Sequence, residues 1–205
     1  MTVMITGVGA IVARERTPDW FDPAEHLGRR GWKYLSPATR YLLAAANQAL
    51  GRAHGDPVAA EPPAERLGVV TGTQYAIADV HRRMNHTLRT EGAGGLSPAE
   101  VPAFSMNTPG SQLAITLKAR AFCVTLTNPA TAGLEAVLFA MSALRTGRAD
   151  RVVATATEQV PDGLGLDGAA AVTLSAAPGG IAELTGGFSR FVARGQDGVL
   201  DPVTL

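Results

Sequence analysis

Residues 128–144 read Asn-Pro-Ala-Thr-Ala-Gly-Leu-Glu-Ala-Val-Leu-Phe-Ala-Met-Ser-Ala-Leu, and Glu135 is the only charge among them. Asn128-Pro129 stops the preceding strand and opens a helix from Ala130 to about Leu144. An ordinary surface helix carries a polar stripe at a period of about 3.6 residues. This segment has none, so it has to be covered on nearly every side. A helix laid on one face of a lone sheet keeps its outer side wet, and a second layer is required. That layer comes either from elsewhere in the same chain, with this segment as the central helix of a compact monomer, or from another subunit.

Strand-like and helix-like segments alternate around that helix. Residues 3–12 are apolar and partly β-branched, which reads as a buried strand. A charged, irregular stretch covers 14–34. Ser36-Pro37 is a helix start, a hydroxyl N-cap with proline in the first turn, and the helix to about Ala53 aligns Leu42, Leu43, Ala46 and Leu50. Residues 55–64 form a Pro/Ala linker too short to separate domains. A strand at 66–72, a polar helix near 76–88, a glycine-rich loop at 90–97 and a helix at 109–119 follow. Strands are expected at 122–127, 151–157, 168–175 and 181–192, the last two joined at Pro178-Gly179-Gly180. This order gives an α/β fold with a sheet that is mixed at one edge. Residues 1–205 read as a single domain.

Charge and composition remove several functions. The 18 basic and 18 acidic residues balance, which gives no electrostatic case for nucleic acid or an anionic membrane. One cysteine, Cys123, excludes a disulfide framework and a thiolate zinc site. Inside a strand it reads as a small buried hydrophobe. His81 and His86 are five apart rather than four, so they do not share a helix face as a metal pair. His26 and His54 fall in loops, and neither a metal nor a cofactor is expected. Gly7-Val8-Gly9 lacks the third glycine and the acidic residue of a dinucleotide fingerprint. Met1–Gly7 has no basic leader, and the charge-free stretches 121–134 and 168–182 are short and broken by Gly or Pro. A reducing, cytoplasmic setting is the expectation.

In chain order these segments resemble the N-terminal half of a β-ketoacyl synthase of the thiolase-like superfamily. Ile5-Thr6-Gly7-Val8-Gly9 is similar to the family's opening strand, residues 36–50 to its first helix, and Leu67-Gly68-Val69-Val70-Thr71-Gly72-Thr73 to its second strand and turn. Met106-Asn107 and Ser111-Gln112-Leu113-Ala114-Ile115 resemble the segment before the nucleophile strand. Gly147-Arg148-Ala149-Asp150 with 152–158 is similar to the strand that ends in the family's glutamate, and 168–175 to the small-residue strand after it. The resemblance implies a thiolase-like half-fold, a mixed five-stranded sheet with helices on both faces.

It also implies a departure in chemistry. Aligning Gly133-Leu134 on the family's glycine and the apolar residue after it puts Ala130 where the family carries its cysteine, with Pro129 removing a neighbouring N–H. A methyl group cannot attack a thioester, and the family's C-terminal histidines have no counterpart among the four here. The expected function is therefore a non-catalytic ketosynthase-like subunit or accessory protein of bacterial fatty-acid or polyketide biosynthesis. Chain-length factors, the inactive and full-length partners of some ketosynthases, are its precedent. Leu134, Val137, Leu138, Phe139 and Met141 are the expected interface, with a ketosynthase, with a second copy, or both. Arg29-Arg30 and Arg82-Arg83 read as solvated surface or as contacts for an acyl carrier protein. The alternative is half of a split acyltransferase or malonyl decarboxylase that receives its histidines in trans. A third reading is an α/β ligand domain that uses the opening glycine turn for phosphate.

Overall fold

Six strands form one mixed sheet in a computed structural model that describes residues 2–15, 17, 19–52, 64–128, 130–161 and 164–188. The strands are β1 (Val3–Val12), β2 (Leu67–Gly72), β3 (Phe122–Leu126), β4 (Arg151–Glu158), β5 (Gly168–Ser175) and β6 (Ala182–Leu184), in the spatial order β3-β2-β4-β5-β1-β6. β3, β2 and β4 run parallel, whereas β5, β1 and β6 are joined by antiparallel pairings. The antiparallel part is thus half of the sheet rather than one edge, and the count is six rather than five. The strand expected at 181–192 is the short β6, which pairs with Val3–Ile5 and ends at Leu184; residues 189–192 lie outside the described residues.

The helices are α1 (Pro23–Leu27), α2 (Pro37–Ala49), α3 (Ala78–Glu91), α4 (Thr108–Leu117) and α5 (Ala132–Arg145). Helix α1 lies inside the stretch expected to be irregular. Asp22 caps it, its side chain accepting the Ala24 N–H at 2.8 Å. Ser36 caps α2 as expected, accepting the Thr39 N–H, with Pro37 in the first turn. Most of the linker read at 55–64 lies outside the described residues.

Helices cover both faces of the sheet. On one face α2 packs on β1, β5 and β4, and α4 packs on β2 and β3. Their core joins Leu42, Ala45, Ala46, Val69, Leu113 and Val153. On the other face α5 lies over β2, β3 and β4, with Val70, Ala136, Ala140, Leu144, Val152 and Leu174 between them. Helix α3 is peripheral and buries only Val80.

The contact between β1 and α2 is backbone against backbone. A β-carbon at Gly7 would collide with the Ala49 carbonyl oxygen, and one at Gly9 with that of Ala45. These glycines therefore serve helix–strand approach. Beyond α5 no element among the described residues covers this face: Val8 and Val12 of β1 are 58% and 57% exposed, so β1 is buried by them on one face only. Gly9→Ala is expected to lower the unfolding free energy by about 2–3 kcal/mol by forcing α2 off the sheet. The readout is a lower urea midpoint at unchanged slope.

Candidate functional site

The chain turns from β3 into α5 at Ala130, whose φ of 61° is one of two left-handed values at described non-glycine residues. Such a backbone costs an L-residue about 1–2 kcal/mol. It also explains why α5 begins at Ala132 rather than at Ala130: a left-handed residue cannot occupy a right-handed helical turn, so Thr131 becomes the N-cap position. The Ala132 N–H donates to the Asn128 carbonyl at 3.2 Å and closes the turn. Small residues press the start of α5 into the sheet. A β-carbon at Gly72 would strike the Ala132 backbone, and one at Gly133 would lie 2.9 Å from the Ala156 β-carbon. Pro129 lies outside the described residues.

Ala130 is exposed at the rim of an open cavity of about 490 Å³. Leu134 and Val137 form one wall, Ala156 and Val172 its floor, and Tyr75 and Glu158 its polar end. The methyl group at the apex offers neither a nucleophile nor a titratable proton. The turn, however, is held in its strained form. Ala130→Gly is expected to stabilise the chain by about 1 kcal/mol, because glycine adopts this φ without a steric penalty. A denaturant titration reads the gain as a raised midpoint.

Glu158 closes β4 and reaches across to the loop after β2. Its carboxylate accepts the Gln74 and Tyr75 backbone N–H groups, both at 2.6 Å, and the Thr73 hydroxyl at 3.2 Å. Burial pushes the carboxyl above the usual carboxylate range, and these three hydrogen bonds oppose the shift without cancelling it. The sequence marks Glu158 as a charge ending an apolar strand and, by resemblance, as the counterpart of the family's glutamate. Its partners lie 83 to 85 residues away, so its role as a clamp is visible only in three dimensions. A raised folded-state value means that the native chain holds this proton more tightly than the unfolded chain. Stability contributed at Glu158 therefore falls as pH rises from its unfolded value through its folded one. Relative to Glu158→Gln, the wild-type unfolding free energy is expected to decline across that window. Unfolding curves of both proteins at a series of pH values test the sign.

The other candidates are dispersed. Cys123 is exposed, not buried, because β3 is the edge strand and α4 shields it only in part. Partial desolvation still pushes its thiol up, and a hydrogen bond with Ser111 offsets only some of that rise. His81 stacks on Phe104, its Nε2 3.1 Å from the Phe104 carbonyl oxygen, and His26 stacks on Phe21 from within α1 rather than from a loop. His54 lies outside the described residues. Among the described residues no three His, Cys, Asp or Glu side chains come together to hold a metal. Arg82 and Arg83 both pair with Asp79, and Arg29 and Arg30 are exposed. No helix among the described residues is long and apolar enough to cross a membrane.

The five apolar residues singled out on α5 separate by face. Leu134 is 73% exposed, whereas Met141, at 6%, is turned into the chain's own core and takes no part in an outward surface. Val137, Leu138 and Phe139 are half-buried. Phe139 meets Phe122 edge-on, and the backbone at Gly187 lies over Leu138.

The site is thus framed by a mixed sheet with helices on both faces and a strained strand-to-helix turn at the end of a parallel strand. Residues 6–182 match the β-ketoacyl synthase N-terminal domain, and the chain belongs to that family. Among solved structures it is similar to the ishigamide ketosynthase/chain length factor, with a TM-score of 0.66 and 18% identity over 86% of this chain and 63% of that one. It is also similar to AntDE:AntF, a type II PKS acyl-carrier protein in complex with its ketosynthase bound to the hexaketide (TM-score 0.66, 21% identity, 85% of this chain and 62% of that one). A third is the ketosynthase ApeO in complex with its chain length factor ApeC from Xenorhabdus doucetiae, with a TM-score of 0.63 and 14% identity over 87% of this chain and 81% of that one. The chain thus spans less than two thirds of the length of the first two. No curated protein gives a significant match.

Proposed function

We propose that residues 1–205 act as one ketosynthase N-terminal-like domain with a non-catalytic role, a subunit that pairs with an active ketosynthase in fatty-acid or polyketide biosynthesis. The observation that carries this reading is Ala130 at the apex of the strand-to-helix turn. The resemblance puts the acyl-transfer thiol at that position, and here the backbone shape persists without a reactive group.

The bare face supports a docking role. Leu134 of α5 and Val8 and Val12 of β1 are largely exposed on the side of the sheet that α2 does not cover. Leu134, Ala156 and Val172 line one cavity, Val8 pairs with Val172 in the neighbouring strand, and exposed apolar surface marks an interaction site. A ketosynthase is the partner of choice because two of the similar solved structures are described as a ketosynthase with a chain length factor. The ApeO–ApeC chain is covered to 81% of its length.

The test is co-expression with a full-length ketosynthase of the same gene cluster, followed by size-exclusion chromatography with light scattering. A stable complex is expected. Leu134→Asp should weaken it at least tenfold, or about 1.4 kcal/mol, while leaving the melting temperature unchanged. A well-behaved monomer that ignores every ketosynthase and carrier protein of the cluster would overturn the proposal. Release of CO2 from malonyl-carrier protein once the partner is added would instead favour the split decarboxylase.

A further inference from the structure

The chain balances its charges overall but does not spread them evenly. Residues 26–55 contain five Arg or Lys and no Asp or Glu. Three of the five, Arg29, Arg30 and Lys33, lie in the loop that joins α1 to α2, and all three are exposed. Among the described residues none of them forms an ion pair, whereas Arg66, Arg82, Arg83 and Arg120 each meet an acidic partner. Tyr34, in the same loop, is 90% exposed.

The loop is held in one shape from within and from α2. Trp32 donates its indole N–H to the Gly28 carbonyl at 2.7 Å. Arg40 of α2 donates to the Trp32 and Lys33 carbonyls, each at 3.2 Å, and its guanidinium lies 5.2 Å from the centre of the Trp32 ring. Leu27 and Leu35 anchor the two ends of the loop against the core beneath α2. A loop fixed in this way loses little conformational freedom when a partner binds. Arginine and tyrosine are also the residue types enriched at the energetic centres of protein interfaces.

We propose that loop 28–34 is a docking surface for an acidic segment of a second protein, with carboxylates meeting Arg29, Arg30 and Lys33 and an apolar side chain resting on Tyr34. Nucleic acid fits less well, because a chain of zero net charge has no long-range field to gather a polyanion. An anionic membrane fits less well too, since three cations fall short of the clusters of roughly 4–8 that read as lipid-binding. The loop lies on the α2 side of the sheet, opposite α5 and the uncovered face. Both surfaces can therefore be occupied at once, and docking at the loop does not depend on the ketosynthase reading.

The experiment titrates the full chain into a fluorescently labelled, glutamate-rich helical peptide carrying one leucine, read by anisotropy at low and at physiological salt. Saturable binding that weakens with salt is expected. Arg29→Glu combined with Arg30→Glu should weaken it by about tenfold or more, and Tyr34→Ser by about threefold. If the charge-reversed chain does not fold, Arg29→Gln with Arg30→Gln removes the same two cations. Arg82→Glu with Arg83→Glu alters the net charge equally, but at residues already paired with Asp79, and should leave binding unchanged. Absence of binding, equal losses from the two charge reversals, or tighter binding of a single-stranded oligonucleotide or a phosphatidylserine vesicle would each overturn the proposal. Failure to bind a ketosynthase would refute the subunit role while leaving this result standing.

Discussion

Helix backbones resting directly on the sheet are the constraint on which the rest of the architecture depends. At Gly7 and Gly9 the backbone of α2 occupies the space of a side chain, and at Gly72 the first turn of α5 does the same. Alanines complete the pattern: Ala38, Ala45, Ala46, Ala136 and Ala140 are fully buried between helix and sheet. Such close layers gain dispersion energy from many short contacts and leave no room for bulky rings. The low aromatic content, 5% of the chain, is the compositional side of that geometry. The same closeness fixes the start of α5, and with it the position of every group around Ala130.

Held this way, the site combines a rigid frame with an inert apex. The turn is supported from outside by the Ala132–Asn128 hydrogen bond and by Glu135, and Glu158 secures the facing loop. A left-handed alanine persists only where its surroundings over-determine it. The bend is therefore rigid, and the side chain at its tip is a bare methyl group.

Much of the fold was legible from local signals. Ser36-Pro37 announced α2, Asn128-Pro129 announced the end of β3, and the run 151–157 became β4 with one residue added. The failures share a cause, since each depends on what lies next to a segment in space. Residues 3–12 looked buried because nothing in the run reveals that one face of β1 is left uncovered. Cys123 looked buried because strand order, which makes β3 an edge, is not written in the strand. In α5 the absence of a polar stripe, the feature that made the helix conspicuous, also removed any sign of which face meets the sheet. Leu134 and Met141 were therefore indistinguishable until one proved exposed and the other enclosed. Ala130 was singled out by resemblance, and its left-handed backbone between β3 and α5 shows only in the structure, as does the clamp made by Glu158.

The pairing of β1 has a consequence for how this chain comes into being. Among the described residues β1 finds its neighbours only in β5 and β6, Met4 opposite Ser175 and Val3 opposite Leu184. Until those late residues have been synthesised, β1 has both long edges open and α2 has only part of its platform. The sheet therefore closes only after β5 and β6 have been made, through non-local pairings of the kind that form slowly.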